Sequence, residues 1–306
     1  MKIVFMGTPS FAVPSLKKLI ENNFEVVLVV TQPDKVQGRR QKVTYSKVKE
    51  FALENNLEVF QPENIKNEYE VILNTKADLI VTAAYGQILP KELLDQMPAI
   101  NVHGSLLPKY RGGAPIQYAL FDGLKKTGVT IMDMAYKMDS GDIILQGEID
   151  IDDEDNYGTL SNKLSHLGAE LLIKVLKGNY KRIKQDEDEV TFAFTLKRED
   201  EFLDVYNNTS NQVINRLRGL MPEPGATINI NNINYKVYNI KKSDIIKQMA
   251  VGEVFINKQG LHIQTKNGKI LILEIQAPGR KRLNIKDFLN GQKDIKNGDF
   301  VEREVK

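Results

Sequence analysis

The run Glu25-Val26-Val27-Leu28-Val29-Val30-Thr31 decides the fold, because it is apolar throughout instead of alternating between apolar and polar residues. A strand with one face in water alternates, whereas a strand covered by helices on both faces does not. Asp78–Ala83 shows the same continuous pattern, and a helical pattern over Ser10–Asn22 precedes the first run. Such alternation of strands and helices predicts a doubly wound α/β domain, whose ligands bind at the carboxyl ends of its parallel strands.

Further elements of both kinds extend this pattern to residue 177. The predicted strands are Lys2–Phe5, Glu25–Thr31, Glu58–Phe60, Asp78–Ala83, Ala99–Val102, Thr127–Met132 and Ile143–Ile149. The predicted helices are Ser10–Asn22, Ser46–Asn55 and Thr159–Lys177. We therefore predict a Rossmann-like domain over residues 1–185.

The chain changes character at residue 186. Residues 186–203 are strongly charged and predict a linker that lies across the surface. Residues 204–306 begin with a helical pattern over Ser210–Leu220 and continue as short β runs between Asn/Gly turns. These runs are Ala226–Ile230, Asn234–Ile240, Glu253–Ile256, Leu261–Gln264 and Ile270–Ile275. Short strands at this spacing predict a smaller C-terminal β-barrel, similar to the oligonucleotide-binding (OB) type.

Composition excludes several classes of function. The 306 residues include no cysteine, which excludes disulfides, thiolate catalysis and Cys-based metal sites, and we expect no metal centre. The loop after the first strand has one glycine, Gly7, and the chain has no Gly-Lys-Ser/Thr loop, so dinucleotide binding and P-loop chemistry lack support. With no long apolar stretch and no basic leader, we expect a cytoplasmic monomer without a membrane partner.

Charge is distributed unevenly along the chain. Residues 1–206 have a net charge of −6, whereas residues 207–306 have one of +8. A basic segment on an acidic body predicts an anionic partner for that segment, with nucleic acid as the first choice. A solvated Lys-rich surface explains the charge equally well when charge is considered alone.

An amide and an imidazole stand two residues apart in Ala99-Ile100-Asn101-Val102-His103, a strand pattern that continues as Gly104-Ser105-Leu106-Leu107-Pro108. Residues i and i+2 of a strand share a face, so Asn101 and His103 converge on one spot. A neutral donor beside a titratable group suits a reaction through a tetrahedral oxyanion. His166, in a helical pattern, and His262, in a β run, are predicted to be structural.

Two more loops follow predicted strands or lead into them. Met138-Asp139-Ser140-Gly141-Asp142 carries two carboxylates, one of which would orient the imidazole of His103, unless both only cap a turn. Spacing does not distinguish between the two acids. Tyr85-Gly86-Gln87-Ile88-Leu89 would line a pocket for a flat heteroaromatic ring, or form an ordinary βα turn.

Three motifs together resemble the folate-dependent formyltransferases. They are Asn101-x-His103, Ser105-Leu106-Leu107-Pro108-x-Tyr110-Arg111-Gly112-x-x-Pro115 and Asp139-x-Gly141-Asp142. Beyond these three motifs, the chain resembles the members of that family that act on methionyl-tRNA. The matching segments are Met6–Ala12, Thr31–Asp34, Lys35–Lys42, Thr191–Leu203, Arg216–Ala226, Glu253–Phe255 and Ala277–Arg282. The resemblance covers essentially the whole chain.

The resemblance implies a reaction and a site. It implies transfer of a formyl group from 10-formyltetrahydrofolate to the α-amine of initiator methionyl-tRNA, by a catalytic domain over residues 1–185. The catalytic residues fall on Asn101, His103 and Asp139. The implied folate-binding residues are Ser105, Leu106, Leu107, Pro108, Tyr85, Gly86, Gln87, Ile88, Leu89 and Asp142.

The resemblance also implies contacts with tRNA, from a basic loop and from the C-terminal domain over residues 204–306. Arg39 matches the arginine that wedges at the end of the acceptor stem. Arg40 replaces a glycine usual in that loop, and Val205 replaces a common tryptophan. The implied tRNA-binding residues are Lys35, Arg39, Arg40, Lys42, Lys241, Lys242, Arg280, Lys281 and Arg282.

Three alternative functions stay open. Glycinamide ribonucleotide formyltransferases usually lack a second domain, so residues 207–306 argue against that acceptor. Sugar-nucleotide formyltransferases carry similar tails, but the basic loop and the C-terminal charge favour tRNA. A non-catalytic RNA-binding protein would have lost Asn101, His103 or Asp139, and all three are present.

Overall fold

The computed structural model describes residues 1–37, 42–291 and 294–303. The chain divides into two compact units. The first unit consists of Met1–Pro115, Lys125–Ile151 and Leu160–Thr195, and the second of Ile116–Leu124, Asp152–Thr159 and Leu196–Lys306. The domain and linker boundaries expected at residues 185 and 203 remain predictions.

Strands and helices are interspersed along the chain up to residue 177. The strands are β1 (Lys2–Gly7), β2 (Glu25–Val30), β3 (Lys35–Gln37), β4 (Lys42–Thr44), β5 (Val59–Phe60), β6 (Leu79–Ala83), β7 (Ala99–His103), β8 (Lys126–Asp133) and β9 (Ile143–Asp150). The helices are α1 (Val13–Glu21), α2 (Lys47–Glu54), α3 (Ile65–Glu68), α4 (Glu70–Asn74), α5 (Lys91–Leu94), α6 (Pro115–Phe121) and α7 (Tyr157–Lys177).

Seven strands form the main sheet of the first unit, in the order β5-β2-β1-β6-β7-β8-β9. The five strands from β5 to β7 are parallel, and the order runs outward from β1 in both directions. This is the doubly wound arrangement, in which a crevice forms where the strand order reverses. The predicted α/β class is therefore confirmed, and the carboxyl ends of β6 and β7 meet beside that crevice.

The last two strands of this sheet are antiparallel to their neighbours. β9 alternates between half-buried and exposed residues from Leu145 onward, as an antiparallel strand with one wet face does. The residues of β8 from Thr127 to Met132 are all buried. The sheet thus combines a parallel centre with an antiparallel hairpin at one edge.

The central strands form the core, as the continuous apolar runs predict. Ile3, Val4 and Phe5 of β1 are fully buried, and so are Val29 and Val30 of β2. Both faces of these strands are covered, because buried residues that are adjacent in a strand point to opposite faces.

Polar caps set the start of two predicted helices. The Ser46 hydroxyl accepts a hydrogen bond from the backbone N–H of Lys49, 3.0 Å away, so α2 begins directly after it. Thr209 and Gln212 form a reciprocal capping box before the helix of the second unit. Among the described residues, no helix is long and apolar enough to cross a membrane.

The described part of the second unit from residue 210 onward contains an antiparallel sheet and two helices. Its elements are α8 (Ser210–Gly219), β10 (Ala226–Ile230), β11 (Ile233–Lys242), β12 (Val254–Asn257), β13 (Gly260–Gln264), β14 (Lys269–Gln276), β15 (Leu283–Asn284) and α9 (Ile285–Gly291). The order is β10-β11-β14-β13-β12, with β15 paired to β14. Val213 and Leu217 of α8 belong to the core of this unit, together with residues from β10 to β14.

A segment near residue 300 connects the two outer strands of this sheet. Val301 pairs with Ile230 of β10, and Phe300 pairs with Glu253 beside β12. The N–H of Val254 donates to the carbonyl oxygen of Asp299 at 2.7 Å. The sheet therefore closes on itself, as the predicted β-barrel requires.

Candidate active site

His103 lies at the carboxyl end of β7, on the same face of the strand as Asn101. It is buried, with 5% of its surface exposed. Its Nε2 is 3.0 Å from the carbonyl oxygen of Tyr110. Because a carbonyl oxygen only accepts hydrogen bonds, Nε2 carries a proton and donates it there. Nδ1 is then the ring nitrogen that faces the other groups of the site.

Asn101 is oriented by the neighbouring strand. It pairs in register with Thr82 of β6, and the Thr82 hydroxyl donates to Oδ1 of Asn101 over 2.8 Å. Thr82 is buried and Asn101 is partly exposed. With its oxygen held by Thr82, the amide directs its NH₂ group away from β6, where it can donate to an incoming oxygen.

Asp139 supplies the carboxylate beside the imidazole. Its Oδ2 is 3.8 Å from Nδ1 of His103 and accepts the backbone N–H of Gly112 at 2.8 Å. Of the two acids that the sequence left open, Asp139 is the one that the structure brings to His103. Asp142 lies three residues further on, and its carbonyl oxygen accepts the N–H of Asp133.

Thr130 of β8 holds the loop Ser105–Pro108, the expected folate-contacting segment. The Thr130 hydroxyl donates to the carbonyl oxygen of Ser105 at 2.7 Å and accepts the N–H of Leu107 at 3.1 Å. Nε2 of Gln146 donates to the carbonyl oxygen of Leu107 at 2.9 Å. Leu107 also packs in a small core cluster of its own. These bonds fix the loop in one conformation next to the end of β7.

The segment Tyr85–Leu89 directs its side chains to different places. The side chains of Tyr85 and Leu89 belong to the core. Burial raises the pKa of the Tyr85 hydroxyl. Gln87 holds the neighbouring loop, because its Oε1 accepts the N–H of Ile65 at 2.8 Å. Ile88 is 60% exposed, which leaves an apolar side chain free for a ligand. Gly86 has a φ of +95°, a conformation that suits glycine.

Two buried polar side chains beside Asp139 are not revealed by the sequence pattern. Arg111 is fully buried and Gln185 is 4% exposed. Arg111 follows the loop Ser105–Pro108 in a stretch that the sequence suggests is exposed. Gln185 directly precedes the predicted charged linker. A single signal points to Arg111, which lies inside the Tyr-Arg-Gly motif of the resemblance. Among the described residues, no group of three acidic or histidine side chains could hold a metal ion.

Comparisons with known proteins identify the family. Residues 1–176 match the family model described as formyl transferase, and residues 195–293 match that of the formyl transferase C-terminal domain. A methionyl-tRNA formyltransferase of Bacillus subtilis (strain 168) is 48% identical over 300 residues, which cover 95% of this chain and 94% of the relative. This chain belongs to the methionyl-tRNA formyltransferase family.

Solved structures share the fold of this family member at lower identity. The N-formyltransferase from Helicobacter canadensis, in complex with folinic acid and dTDP-3-aminofucose, aligns with a TM-score of 0.66 and 20% identity, over 89% of this chain and 98% of that one. HypX from Aquifex aeolicus in complex with tetrahydrofolic acid aligns with a TM-score of 0.67 and 16% identity. That match covers 99% of this chain, which spans 50% of HypX.

The residues that the family resemblance assigns to tRNA fall in separate places. Lys35 is exposed at the start of β3. Lys42 pairs with Gln37 across β3 and β4, whereas Arg39 and Arg40 lie outside the described residues.

The C-terminal basic residues form two groups rather than one. Lys241 and Lys242 are exposed at the end of β11, where they pair with the start of β14. Arg280, Lys281 and Arg282 are exposed in the turn that follows the other end of β14. The two groups therefore lie at opposite ends of the β11–β14 ladder.

Proposed function

We propose that this chain transfers the formyl group of 10-formyltetrahydrofolate to the α-amine of methionyl initiator tRNA, giving N-formylmethionyl-tRNA for translation initiation. The observation that carries the proposal is the grouping of Asn101, His103 and Asp139 at the carboxyl end of β7, with Oδ2 of Asp139 3.8 Å from Nδ1 of His103. This grouping occurs in a chain that is 48% identical to a methionyl-tRNA formyltransferase.

The reaction needs stabilisation of charge on the formyl oxygen. The amine nitrogen attacks the formyl carbon, a new C–N bond forms, and the formyl oxygen gains negative charge in the tetrahedral intermediate. The NH₂ group of Asn101 donates to that oxygen, and so does Nδ1–H of protonated His103. Donors that are fixed before the reaction stabilise such charge without reorganisation, which makes them effective in a water-poor site.

The reaction also needs a proton to move from the attacking amine to the leaving nitrogen. Asp139 is placed to accept the amine proton, directly or through a water molecule. As the tetrahedral intermediate collapses, the bond between the formyl carbon and N10 of the folate breaks, and N10 takes up a proton. The formyl group and the proton thus change places.

Different segments of the chain bind the folate and the RNA. We assign the folate to the loop Ser105–Pro108, to Asp142 and to Tyr85–Leu89, where the backbone and the exposed Ile88 side chain make the contacts because Tyr85 and Leu89 face the core. Exposed Lys and Arg residues of the second unit give tRNA phosphates a basic surface. A role in translation initiation fits a monomer in the cytoplasm.

A direct assay tests the proposal. The purified chain is incubated with 10-formyltetrahydrofolate and one acceptor at a time. The acceptors are initiator methionyl-tRNA, glycinamide ribonucleotide and a dTDP-amino sugar. We expect formylation of the tRNA at a kcat/KM at least about 100-fold above that of the other acceptors, because a specific RNA supplies binding energy that the small acceptors lack. Formylation of a small acceptor in preference to the tRNA contradicts the proposal.

A further inference from the structure

We propose that Gln185 and Arg111 are positioning residues, which together fix the turn that carries Asp139. The turn precedes β9, Arg111 lies in the loop after β7, and Gln185 follows α7. All three segments belong to the first unit. The effect on turnover rests on the proposed function, whereas the effect on the His103–Asp139 pair rests on geometry alone.

The Asp139 turn depends on contacts from outside. Asp139 has a φ of +48°, in the left-handed region that residues other than glycine seldom adopt. Two residues later, a Cβ on Gly141 would lie 1.8 Å from the carbonyl oxygen of Asp133, so the chain passes that strand in close contact. A turn with such a backbone keeps its conformation only when neighbouring groups hold it.

Gln185 holds both ends of this turn with one amide. Its Nε2 donates to the carbonyl oxygen of Asp139 at 2.8 Å and to that of Gly141 at 2.7 Å. An amide NH₂ has two hydrogens, and both are used here. Because Gln185 is 96% buried, removing its amide leaves these carbonyl oxygens without an easy replacement by water.

Arg111 determines which way the Gln185 amide points. Nε and Nη2 of Arg111 both donate to Oε1 of Gln185, at 3.0 Å and 2.9 Å. A guanidinium has donors only, so the amide oxygen must face Arg111 and the NH₂ group must face the turn. Nη2 also donates to Glu187 at 2.8 Å, and the guanidinium holds the pKa of that carboxyl below its usual range. The buried cation is thereby compensated.

The residues on either side of Arg111 contact the reacting groups themselves. Tyr110 accepts the hydrogen bond from Nε2 of His103, and Gly112 donates to Oδ2 of Asp139. Three consecutive residues therefore connect the imidazole, the carboxylate and, through Gln185, the backbone of the Asp139 turn. The distance between His103 and Asp139 is fixed by this set of bonds.

The first test replaces Gln185 with methionine, which is similar in length and neutral but has no amide. We expect kcat for formyl transfer to fall about 10- to 100-fold, because small displacements of a catalytic group have large effects on rate. KM for folate and for tRNA should stay within about 2-fold, since neither is bound through the amide. Gln96→Met is the matched control, because the amide of Gln96, in the exposed turn after α5, also donates to a backbone carbonyl oxygen, that of Glu92.

A second readout does not depend on activity. The chain has three histidines, so their imidazole signals can be assigned by NMR in the substrate-free protein. In Gln185→Met we expect the imidazole resonances of His103 to shift, because the Asp139 carboxylate, 3.8 Å from Nδ1 in the unsubstituted protein, is no longer held beside the ring. The resonances of His166 and His262 should not shift.

Gln185→Glu separates the contact with Arg111 from the contacts with the Asp139 turn. The glutamate still accepts from Arg111, but its second oxygen faces the two carbonyl oxygens of the turn and repels them. We expect kcat to fall as in Gln185→Met, with a thermal midpoint closer to that of the unsubstituted protein. Unchanged His103 resonances and an unchanged kcat in both variants overturn the inference, as does a loss of activity that only follows the loss of folded protein.

Failure of this inference is distinguishable from failure of the proposed function. If the unsubstituted protein does not formylate methionyl-tRNA, the proposed function is wrong. The His103 resonances still decide whether Gln185 positions Asp139, because no substrate is present in that experiment.

Discussion

Gly112 lies so close to Ala193 that a Cβ on Gly112 would be 2.4 Å from the Ala193 carbonyl oxygen. That oxygen is not free to move away, because it accepts the N–H of Ala114 at 3.1 Å. Gly112 also has a φ of +124°, which side chains rarely permit. The hydrogen bond from the Gly112 N–H to Asp139 thus depends on the absence of a side chain at position 112.

Gly112→Ala tests this dependence. We expect at least a 100-fold loss of kcat, because the displaced backbone no longer holds the Asp139 carboxylate beside His103. We also expect a lower thermal midpoint, since strain of this kind costs about 1–3 kcal/mol before the steric clash is counted. Steady-state kinetics and thermal unfolding check both effects. Gly291→Ala is the control, because a Cβ there meets nothing within 4 Å; equal behaviour of the two variants contradicts the account.

Asn101→Ala separates turnover from folate binding. Removing one oxyanion donor typically lowers the rate about 10²- to 10³-fold. We expect kcat to fall by that factor while the Kd for the folate, measured by calorimetry, changes less than about 3-fold, since the amide acts on the developing charge. Asn55→Ala, at an exposed amide that donates to the carbonyl oxygen of Phe51, provides the control. Comparable losses in kcat and in folate affinity would count against the role of Asn101.

The elements of the sheet and the convergence of Asn101 and His103 were predictable from the sequence, because both follow local rules. Continuous apolar runs marked β1, β2 and β6, and the two-residue spacing put Asn101 and His103 on one face. Thr82, which orients Asn101, has no such signal, because it stands inside a run that reads as core. Its role depends on the register between β6 and β7, and register is a property of the folded sheet.

The parts of the site that depend on distant segments were not predictable. Gln185 directly precedes the stretch that is predicted to be a charged linker, but it is buried because the chain returns from α7 to the Asp139 turn. Tyr85 has the opposite problem: next to a glycine at a strand end it suggests a ligand contact, and the structure places its ring in the core. Sequence spacing does not tell which side of a loop faces the interior.

Binding of tRNA should depend steeply on salt, and unequally on the basic residues of the turn after β14. Arg282 forms an ion pair with Glu274 and lies over the ring of Tyr238, 4.5 Å from its centroid. Lys281 is exposed. We expect Lys281→Ala to reduce the slope of log K against log salt by about 1, because one phosphate contact is lost. Arg282→Ala should have the smaller effect, since its charge is already compensated.

The measurement is a filter-binding or anisotropy titration of initiator tRNA at several salt concentrations. Lys17→Ala is the control, because Lys17 lies exposed on α1 and is not assigned to the RNA. Binding that hardly changes with salt in the unsubstituted protein contradicts the electrostatic role of the second unit.

His262 should make the second unit less stable in mild acid. Its Nε2 donates to Oδ1 of Asn257 at 3.0 Å, its Nδ1 accepts from the Ser243 hydroxyl at 2.7 Å, and burial lowers its pKa below the usual 6.5. The unfolded chain therefore takes up a proton that the folded chain does not. The stabilisation that the neutral His262 contributes to the free energy of unfolding should be present in full above about pH 6.5. It should decrease as the pH falls below that value, by at most about 1.4 kcal/mol per pH unit for this one group.

Urea unfolding between pH 7.5 and pH 5 checks this effect. His262→Gln removes the titrating group and should flatten the dependence of the free energy of unfolding on pH. His166→Gln, at an exposed position on α7, should leave that dependence unchanged. A His262→Gln protein with the same pH dependence as the unsubstituted chain rules out His262 as the cause.

The segment around residue 300 has a consequence for the solubility of the protein. It pairs with β10 through Val301 and with Glu253 beside β12 through Phe300, so it occupies hydrogen-bonding groups at one end of each outer strand. An unpaired outer strand is a template on which another chain can add a strand. Residues 298–302 therefore help to keep two sheet edges from recruiting further copies of the protein, and a chain cut before residue 298 should aggregate rather than simply lose a tail.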